Sequence, residues 1–443
     1  MRWPGASGKK LMATDLLYAL LPEHLLFSAV LALMVLEMFR ARPGVGNALV
    51  IAVLIAGCGV LARQLSQGYA VEVLPGEIVI DRFALVAKLV ILGCGLAWAL
   101  LFSSRSTFKS GLLFCSSLLG ALTIMDSAGF ISLVLGIEMM SLPAFALIVY
   151  GAGANLSAEG AFKYLLLSSV ASALLLFGIA FSYGATTTLS LDAFAKLAAS
   201  GTVEGVGITV LIATGFFLKA AVFPFHAWAP DAYSSTRIHV TAFLASIVKG
   251  AVILAFVRIL TATLPPTMVA VIATLSIFSI VFGNVAAIRQ TSFKRLLAYS
   301  SIAHAGYMLF AFVDTTGGRA SDLLWYVAIY ALTVIIACAS FSSLCEDEDG
   351  PVQSLDGAFQ SRPVAAIVFG LAMLSLAGLP PLPGFFAKLF VFKSVVASGY
   401  LIPTTIAFVG SFIGVTYYLG LFYRLFAAPR GLRPETSALR QEH

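Results

Sequence analysis

The sequence predicts an all-α polytopic membrane protein with about 13 transmembrane helices, built around two inverted five-helix repeats and carrying two broken helices. Three observations predict it. Of 443 residues, 60 % are apolar and 11 % charged, whereas a soluble domain carries about 25 % charged residues. Apolar runs of bilayer length, about 20 residues each, recur from end to end. Two of these runs hold prolines at membrane depth, where non-helical backbone survives only inside protein or beside a watery cavity.

The runs fall in order. Residues 15–38, 45–65 and 82–103 form an N-terminal set, placed within 1–105. Runs at 110–127, 129–150, 161–184, 205–228 and 238–261 form a first five-helix unit, 106–262. Runs at 266–288, 297–313, 322–345, 363–397 and 400–427 form a second, 263–427, followed by a short basic tail, 428–443. The loops are short. The longest polar stretches are 63–81, the acidic Glu346–Asp347–Glu348–Asp349 and the tail. A small-residue cleavage site is not evident after the first run, so no cleavable signal is expected.

The broken runs read Gly215-Phe-Phe-Leu-Lys-Ala-Ala-Val-Phe-Pro224 and Gly378-Leu-Pro-Pro-Leu-Pro-Gly-Phe-Phe-Ala-Lys388. Gly215–Lys219 matches Gly384–Lys388 at an offset of 169 (219 to 388). The same offset takes Glu138 to Tyr307, Met139 to Met308 and Ser132 to Ser301. Five crossings per unit is an odd number, so the second copy enters the membrane upside down. Broken helices at corresponding places in two halves are the best sequence pointer to a transport site.

The informative residues are ionisable groups inside apolar runs, since a charge at the bilayer centre costs roughly 2.5–3.5 kcal/mol even on the lenient scale. Glu138 lies mid-run, too deep to snorkel, and reads as a titrating carboxylate or as a structural partner for a lysine. Lys219 lies at the centre of a broken helix. Lys249 is mid-run and Lys388 follows the second break. Lys163 opens its span, where its long stem can snorkel. His226 follows Pro224 at a break, and His304 precedes Tyr307 by about one turn. Burial disfavours the charged form of any such group and an opposite charge restores it. A row of them is therefore suited to passing protons. His239 is a weaker candidate.

Other signals exclude function classes. The net charge of +6 comes from basic residues scattered between apolar runs, as a multispan protein places them, so nucleic acid is not an expected partner. Cys58, Cys94, Cys115, Cys338 and Cys345 form no CxxC pair and read as packing residues. No metal-ligand spacing or Ser/His/Asp set stands out. Gly151–Gly153 has no strand before it and is no dinucleotide fingerprint. Asn155-Leu-Ser157 is a sequon by letter alone. Eight Lys and Arg, from Arg2 to Arg319, fall on the N-terminal side of the membrane and thirteen, from Arg40 to Arg440, on the other. The richer side is expected to be cytoplasmic, which puts the N-terminus in the periplasm.

These residues carry a resemblance. Gly136-Ile-Glu138-Met-Met-Ser-Leu, Ala161-Phe-Lys163-Tyr-Leu-Leu-Leu, Phe217-Leu-Lys219 through His226-Ala-Trp-Ala-Pro-Asp231, Val240-Thr-Ala-Phe, Lys294-Arg-Leu-Leu through His304-Ala-Gly-Tyr307, and Leu376-Ala-Gly-Leu-Pro-Pro cover roughly residues 80–425. Together they resemble the antiporter-like membrane subunits of respiratory complex I, nearer to the N-type than to the L- or M-type because of Lys388, the short C-terminus and the KYLLL stretch. Two features depart from the usual N-type pattern: 13 spans instead of 14, and Tyr233-Ser-Ser-Thr-Arg-Ile-His239 instead of a proline-bearing loop.

The resemblance implies a proton channel within NADH-quinone oxidoreductase of a bacterial inner membrane, driven by quinone reduction elsewhere. Glu138 would be the acid of a Glu–Lys pair, Lys219 the central lysine, Lys249 the next group and Lys388 the exit-side group, with His226 and His304 between them and Lys163 and Tyr307 beside. NADH, FMN, iron–sulfur clusters and quinone would belong to other subunits, with no cofactor in this chain. Its partners would be neighbouring membrane subunits and lipid. A multisubunit cation/proton antiporter or a proton-pumping membrane hydrogenase is the alternative assembly. A stand-alone solute transporter and a membrane-embedded enzyme lack a substrate cavity or a catalytic set here.

Overall fold

The computed structural model describes residues 13–40, 42–105, 107–150, 156–345 and 347–427. The basic tail, Gly151–Gly153, Asn155 and the N-terminal Arg2, Lys9 and Lys10 lie outside them. A short helix, Ala13–Ala19, precedes three long ones: α1 (Leu21–Met38), α2 (Pro43–Ser66) and α3 (Arg82–Leu101). The first unit follows with α4 (Phe108–Asp126), α5 (Phe130–Tyr150), α6 (Leu156–Thr186), α7 (Val203–Ala220), α8 (Trp228–Ser234) and α9 (Ile238–Ile259). The second holds α10 (Pro266–Ile288), α11 (Phe293–Phe310), α12 (Arg319–Leu344), α13 (Pro363–Ala377), α14 (Pro383–Ala397) and α15 (Leu401–Phe426). Among the described residues twelve helices are long and apolar enough to cross a membrane, and α13 is a shorter apolar helix that the second break separates from α14. Five crossings separate α4 from α10, so the two units run in opposite directions.

Local chemistry sets the helix starts. Asp81 accepts from the Ala84 amide at 2.7 Å before α3. Thr107 and Ser110 form a capping box at α4, and Thr202 accepts from Gly205 N at 3.1 Å before α7. Each satisfies an amide that the helix leaves free. Within the predicted broken run 205–228, the helix ends at Ala220. Ala221 takes a left-handed conformation (φ 55°) and the chain turns through a cis Phe223–Pro224 bond into α8. The polar stretch 63–81 contains a hairpin of β1 (Val71–Leu74) and β2 (Ile78–Ile80). Its Glu77 accepts from Ser132 N at 3.0 Å and thereby braces the α4–α5 turn.

The structure corrects the register of the repeat. Gly120 of α4 packs on the backbone of Gly136 and Met140 of α5, and Gly283 of α10 on that of Tyr299 and Ala303 of α11. Each second partner lies 163 residues after its counterpart (120 to 283, 136 to 299, 140 to 303). At the breaks, Ala221 N donates to Leu218 O, Val222 N to Phe217 O and Phe225 N to Val222 O. Gly378 N to Ser375 O, Leu379 N to Leu374 O and Leu382 N to Leu379 O repeat this 157 residues later. The match at 169 is a likeness of letters, not of position. Lys219 precedes its break, whereas Lys388 follows its own. The counterpart of Glu138 is Ser301, not Tyr307, and that of Lys388 is Asp231.

Candidate functional site

Pro143 sits inside α5 and supplies no N–H to the carbonyl of Met139, one residue from Glu138. Ser172 of α6 donates to Glu138 Oε1 at 2.5 Å, and Lys219 Nζ stands 3.4 Å from the same oxygen. At that length the ion pair is loose. Lys219 has two further oxygens in reach, Ser168 Oγ at 3.1 Å and Ser141 Oγ at 3.4 Å. The two members are not equally buried: the Lys219 side chain is 4 % exposed and that of Glu138 35 %. The acid therefore looks out of the flank of the chain while the lysine points inward. The break that holds Lys219 is backed by Trp228, whose Nε1 donates to Leu218 O at 2.8 Å, and by Ser279, which accepts from Phe223 N at 2.7 Å. Beside Lys219 lies a cavity of about 10 Å³, lined by Tyr164, Trp228, Val248 and Val252, at the lower limit for one water.

Val248 and Lys249 open the next stage. Leu244–Val248 is a π-helical turn, a wide turn found mostly at functional positions, and Lys249 follows it. Its Nζ donates to Ser301 O at 2.9 Å and Ser301 Oγ at 2.8 Å. One turn on, His304 shares hydrogen bonds with Tyr326 (Nδ1, 3.0 Å) and Tyr418 (Nε2, 3.3 Å), and Tyr418 bonds Ser300. A second cavity of about 10 Å³ joins His304, Tyr326 and Tyr330 to Ser375 and Gly384 at the second break. Gly384 is required there, because a Cβ would strike the Ser375 carbonyl. Lys388 Nζ donates to Ala377 O at 3.0 Å and Ser411 Oγ at 3.1 Å, and lies 4.8 Å over the Tyr307 ring. Tyr307 Oη in turn accepts from Asn284 at 3.1 Å. Among the described residues no carboxylate lies within ion-pair distance of Lys249 or Lys388.

Lys163 stands apart from this buried row. It is 41 % exposed and pairs with Glu159 at 2.6 Å and Asp231 at 2.7 Å, with Arg295 on the other Asp231 oxygen at 3.3 Å. His226 is half-buried, packs on Phe223 and Phe282, and its Nδ1 has no hydrogen-bond partner among the described residues. It hydrogen-bonds none of the buried lysines. The main chain of His239 accepts from Trp98, which gives that residue a structural use. Sequence reading missed Ser301, Tyr326, Tyr418 and Asn284, because uncharged polar residues carry no mark in apolar runs. It also missed Lys88, although a lysine within the run 82–103 was visible. Among the described residues no group of three or more His, Cys, Asp or Glu is placed to hold a metal ion.

Residues 127–414 match the family model described as NADH:quinone oxidoreductase/Mrp antiporter, TM. The chain is 55 % identical to NADH-quinone oxidoreductase subunit N of Pelobacter propionicus over 94 % of its own length and 90 % of the relative's. It is 36 % identical to NADH-quinone oxidoreductase subunit 14 of Thermus thermophilus, covering 80 % and 79 %. A chain in the structure of respiratory complex I from Thermus thermophilus with bound aureothin superimposes at a TM-score of 0.81 with 33 % identity, over 92 % of this chain and 90 % of that one. A chain of the archaeal membrane-bound sulfane sulfur reductase shares the fold, with a TM-score of 0.84 at 23 % identity over 94 % and 91 %.

Proposed function

The chain belongs to the NADH:quinone oxidoreductase/Mrp antiporter transmembrane family, and from that premise we propose that it is the N-type proton-translocating membrane subunit of NADH-quinone oxidoreductase. Protons move through a buried relay, and quinone reduction elsewhere in the complex drives them. The observation that carries this reading is the buried row of Lys219, Lys249 and Lys388, each held by a serine hydroxyl (Ser168, Ser301 and Ser411), with His304 and its tyrosines in the same interior and Lys219 and Lys388 at the two broken helices. Hydroxyls, and cavities large enough for a single water, can supply the partners a proton needs between charged groups.

In this reading Glu138 takes or gives a proton at the flank of the chain and Lys219 receives it. Lys249 and His304 form the middle, and Lys388, over the Tyr307 ring, serves the far side. The partly exposed Lys163 and the half-buried His226 serve the approaches. The units span 106–262 and 263–427, with 1–105 as an added N-terminal set. NADH, FMN, iron–sulfur clusters and quinone belong to other subunits. Neighbouring membrane subunits cover the Glu138 flank, in the inner membrane of a bacterial cell.

Glu138→Gln tests the reading. Gln keeps size and hydrogen bonding but cannot ionise. The expected result is an assembled complex with proton pumping and coupled quinone reduction both reduced, measured as pH-dye quenching and NADH oxidation in inverted vesicles. Pumping at the wild-type rate would make Glu138 structural.

The orientation is a separate expectation. The side with fewer Lys and Arg carries the β1–β2 hairpin and faces the periplasm, so the C-terminus is cytoplasmic. A reporter active only in the cytoplasm, fused after His443, should be active. A stable but inactive fusion reverses the topology.

A further inference from the structure

The N-terminal helices hold a second charged group that the relay does not use. Lys88 of α3 is fully buried, and its Nζ lies 2.6 Å from Glu23 Oε1 on α1 and 2.5 Å from Asp126 Oδ2 at the end of α4. The Asp126 side chain is 3 % exposed and that of Glu23 12 %. Three helices thus bring two carboxyl groups to one ammonium. The charges nearby do not rebalance it. Asp81 is paired with Arg258, which also donates to Val79 O at 2.9 Å. Glu77 is committed to Ser132. On the packed face of α2, Gln64 is uncharged and donates to Tyr18 O at 2.7 Å.

With both carboxyls ionised the group carries a surplus negative charge, and Asp126 Oδ1 and Glu23 Oε2 have no hydrogen-bond partner among the described residues. An uncompensated buried charge is among the most costly features a protein interior can hold. A metal cation does not fit between the acids, because the lysine ammonium already occupies that place. A proton on one carboxyl removes the surplus without moving an atom of the chain. Glu23 lies three residues into α1 and Lys88 seven beyond the Asp81 cap, both toward the β1–β2 side. The Glu23 carboxyl oxygens are themselves buried, within one helical turn of the α1 start, and the exposed part of that side chain is its carbon stem. Arg258 and Lys249 share α9, nine residues and about 13 Å apart along its axis.

We propose that Glu23, Lys88 and Asp126 form a second proton-binding site, outside both repeat units, which exchanges protons with the β1–β2 side of the membrane during turnover. The proposal rests on the proton-translocating reading of the chain.

The test uses the whole complex in inverted vesicles. Asp126→Asn keeps the shape and an acceptor for Lys88 but leaves a neutral Glu23–Lys88 pair. Asp126→Glu keeps a carboxyl that takes a proton. The expected result is normal complex content in both, a several-fold loss of pH-dye quenching per NADH oxidised in Asp126→Asn, and recovery of most of it in Asp126→Glu. Wild-type quenching in Asp126→Asn overturns the proposal, and so do equal losses in both variants, which report packing alone. Where Asp126→Asn lowers complex content, the triple variant Glu23→Gln/Lys88→Met/Asp126→Asn decides, since it buries no charge: normal quenching makes the triad a strut, and a several-fold loss supports the site. Glu138→Gln is measured alongside. Loss there with normal Asp126→Asn removes this site and spares the relay. Loss in Asp126→Asn with normal Glu138→Gln does the reverse.

Discussion

Lys219→Arg should leave the subunit assembled and remove most proton translocation, by at least about tenfold, since a positioned proton-transfer group contributes on the order of 10²-fold or more. Two roles are open to Lys219 at its break. As a fixed counter-charge it would only hold Glu138; as a relay it must release and recapture a proton. Arginine separates them, because its guanidinium keeps the charge and pairs with carboxylates but does not deprotonate in proteins. The relay is the role we propose. The Lys219–Glu138 contact is loose at 3.4 Å, and Ser168 holds the amine more closely at 3.1 Å. A strut would show the opposite order. Lys219→Ala should also fail. The measurement is pH-dye quenching in inverted vesicles with NADH as donor, normalised to complex content. Near-normal quenching by Lys219→Arg beside a dead Lys219→Ala would falsify the relay role and leave an ion-pair strut.

The second large effect is expected at Lys249. This lysine is fully buried, and among the described residues its amine hydrogen-bonds only Ser301 O and Oγ, two neutral oxygens. A proton arriving there brings a charge with no carboxylate to meet it, so holding it permanently would add nothing to stability. Lys249→Met has similar length and no titrating group. It should assemble at or above the wild-type level, because replacing a buried ionisable group by an apolar one of similar volume is often neutral or stabilising, by about 1–4 kcal/mol for buried ion pairs. Translocation should fall by at least about tenfold on the same reasoning as for Lys219. Quenching and thermal stability of the solubilised complex, measured together, check it. A variant that is destabilised yet pumps normally per assembled complex would assign Lys249 to structure.

Much of the architecture was legible because bilayer physics writes itself into composition. Runs such as 266–288 coincide with their helix, since in lipid a backbone must satisfy its own hydrogen bonds within the segment. Charges in such runs stand out, so Glu138, Lys219, Lys249 and Lys388 were visible as candidates. The register of the repeat was not. GFFxK occurs before one break and after the other, and only the hydrogen bonds at Ala221 and Gly378, with the glycine contacts of Gly120 and Gly283, align the two units.

By itself the sequence determined the class of protein, the bilayer-length runs, the two breaks and the buried Lys219, Lys249 and Lys388, but not Lys88. These follow from local cost: each apolar run, proline or buried charge has a meaning in lipid that its own residue type sets. The tertiary structure alone decided which of those charges meet. Lys163 turned to a partly exposed ion pair with Asp231, Lys249 to the oxygens of Ser301, and Lys88 to two carboxyls 65 and 38 residues away in the chain. Partnership depends on the rotation and depth of each helix against its neighbours. Helix packing sets those two quantities, through residues such as Gly120 and Gly283, whose missing side chains let two backbones touch.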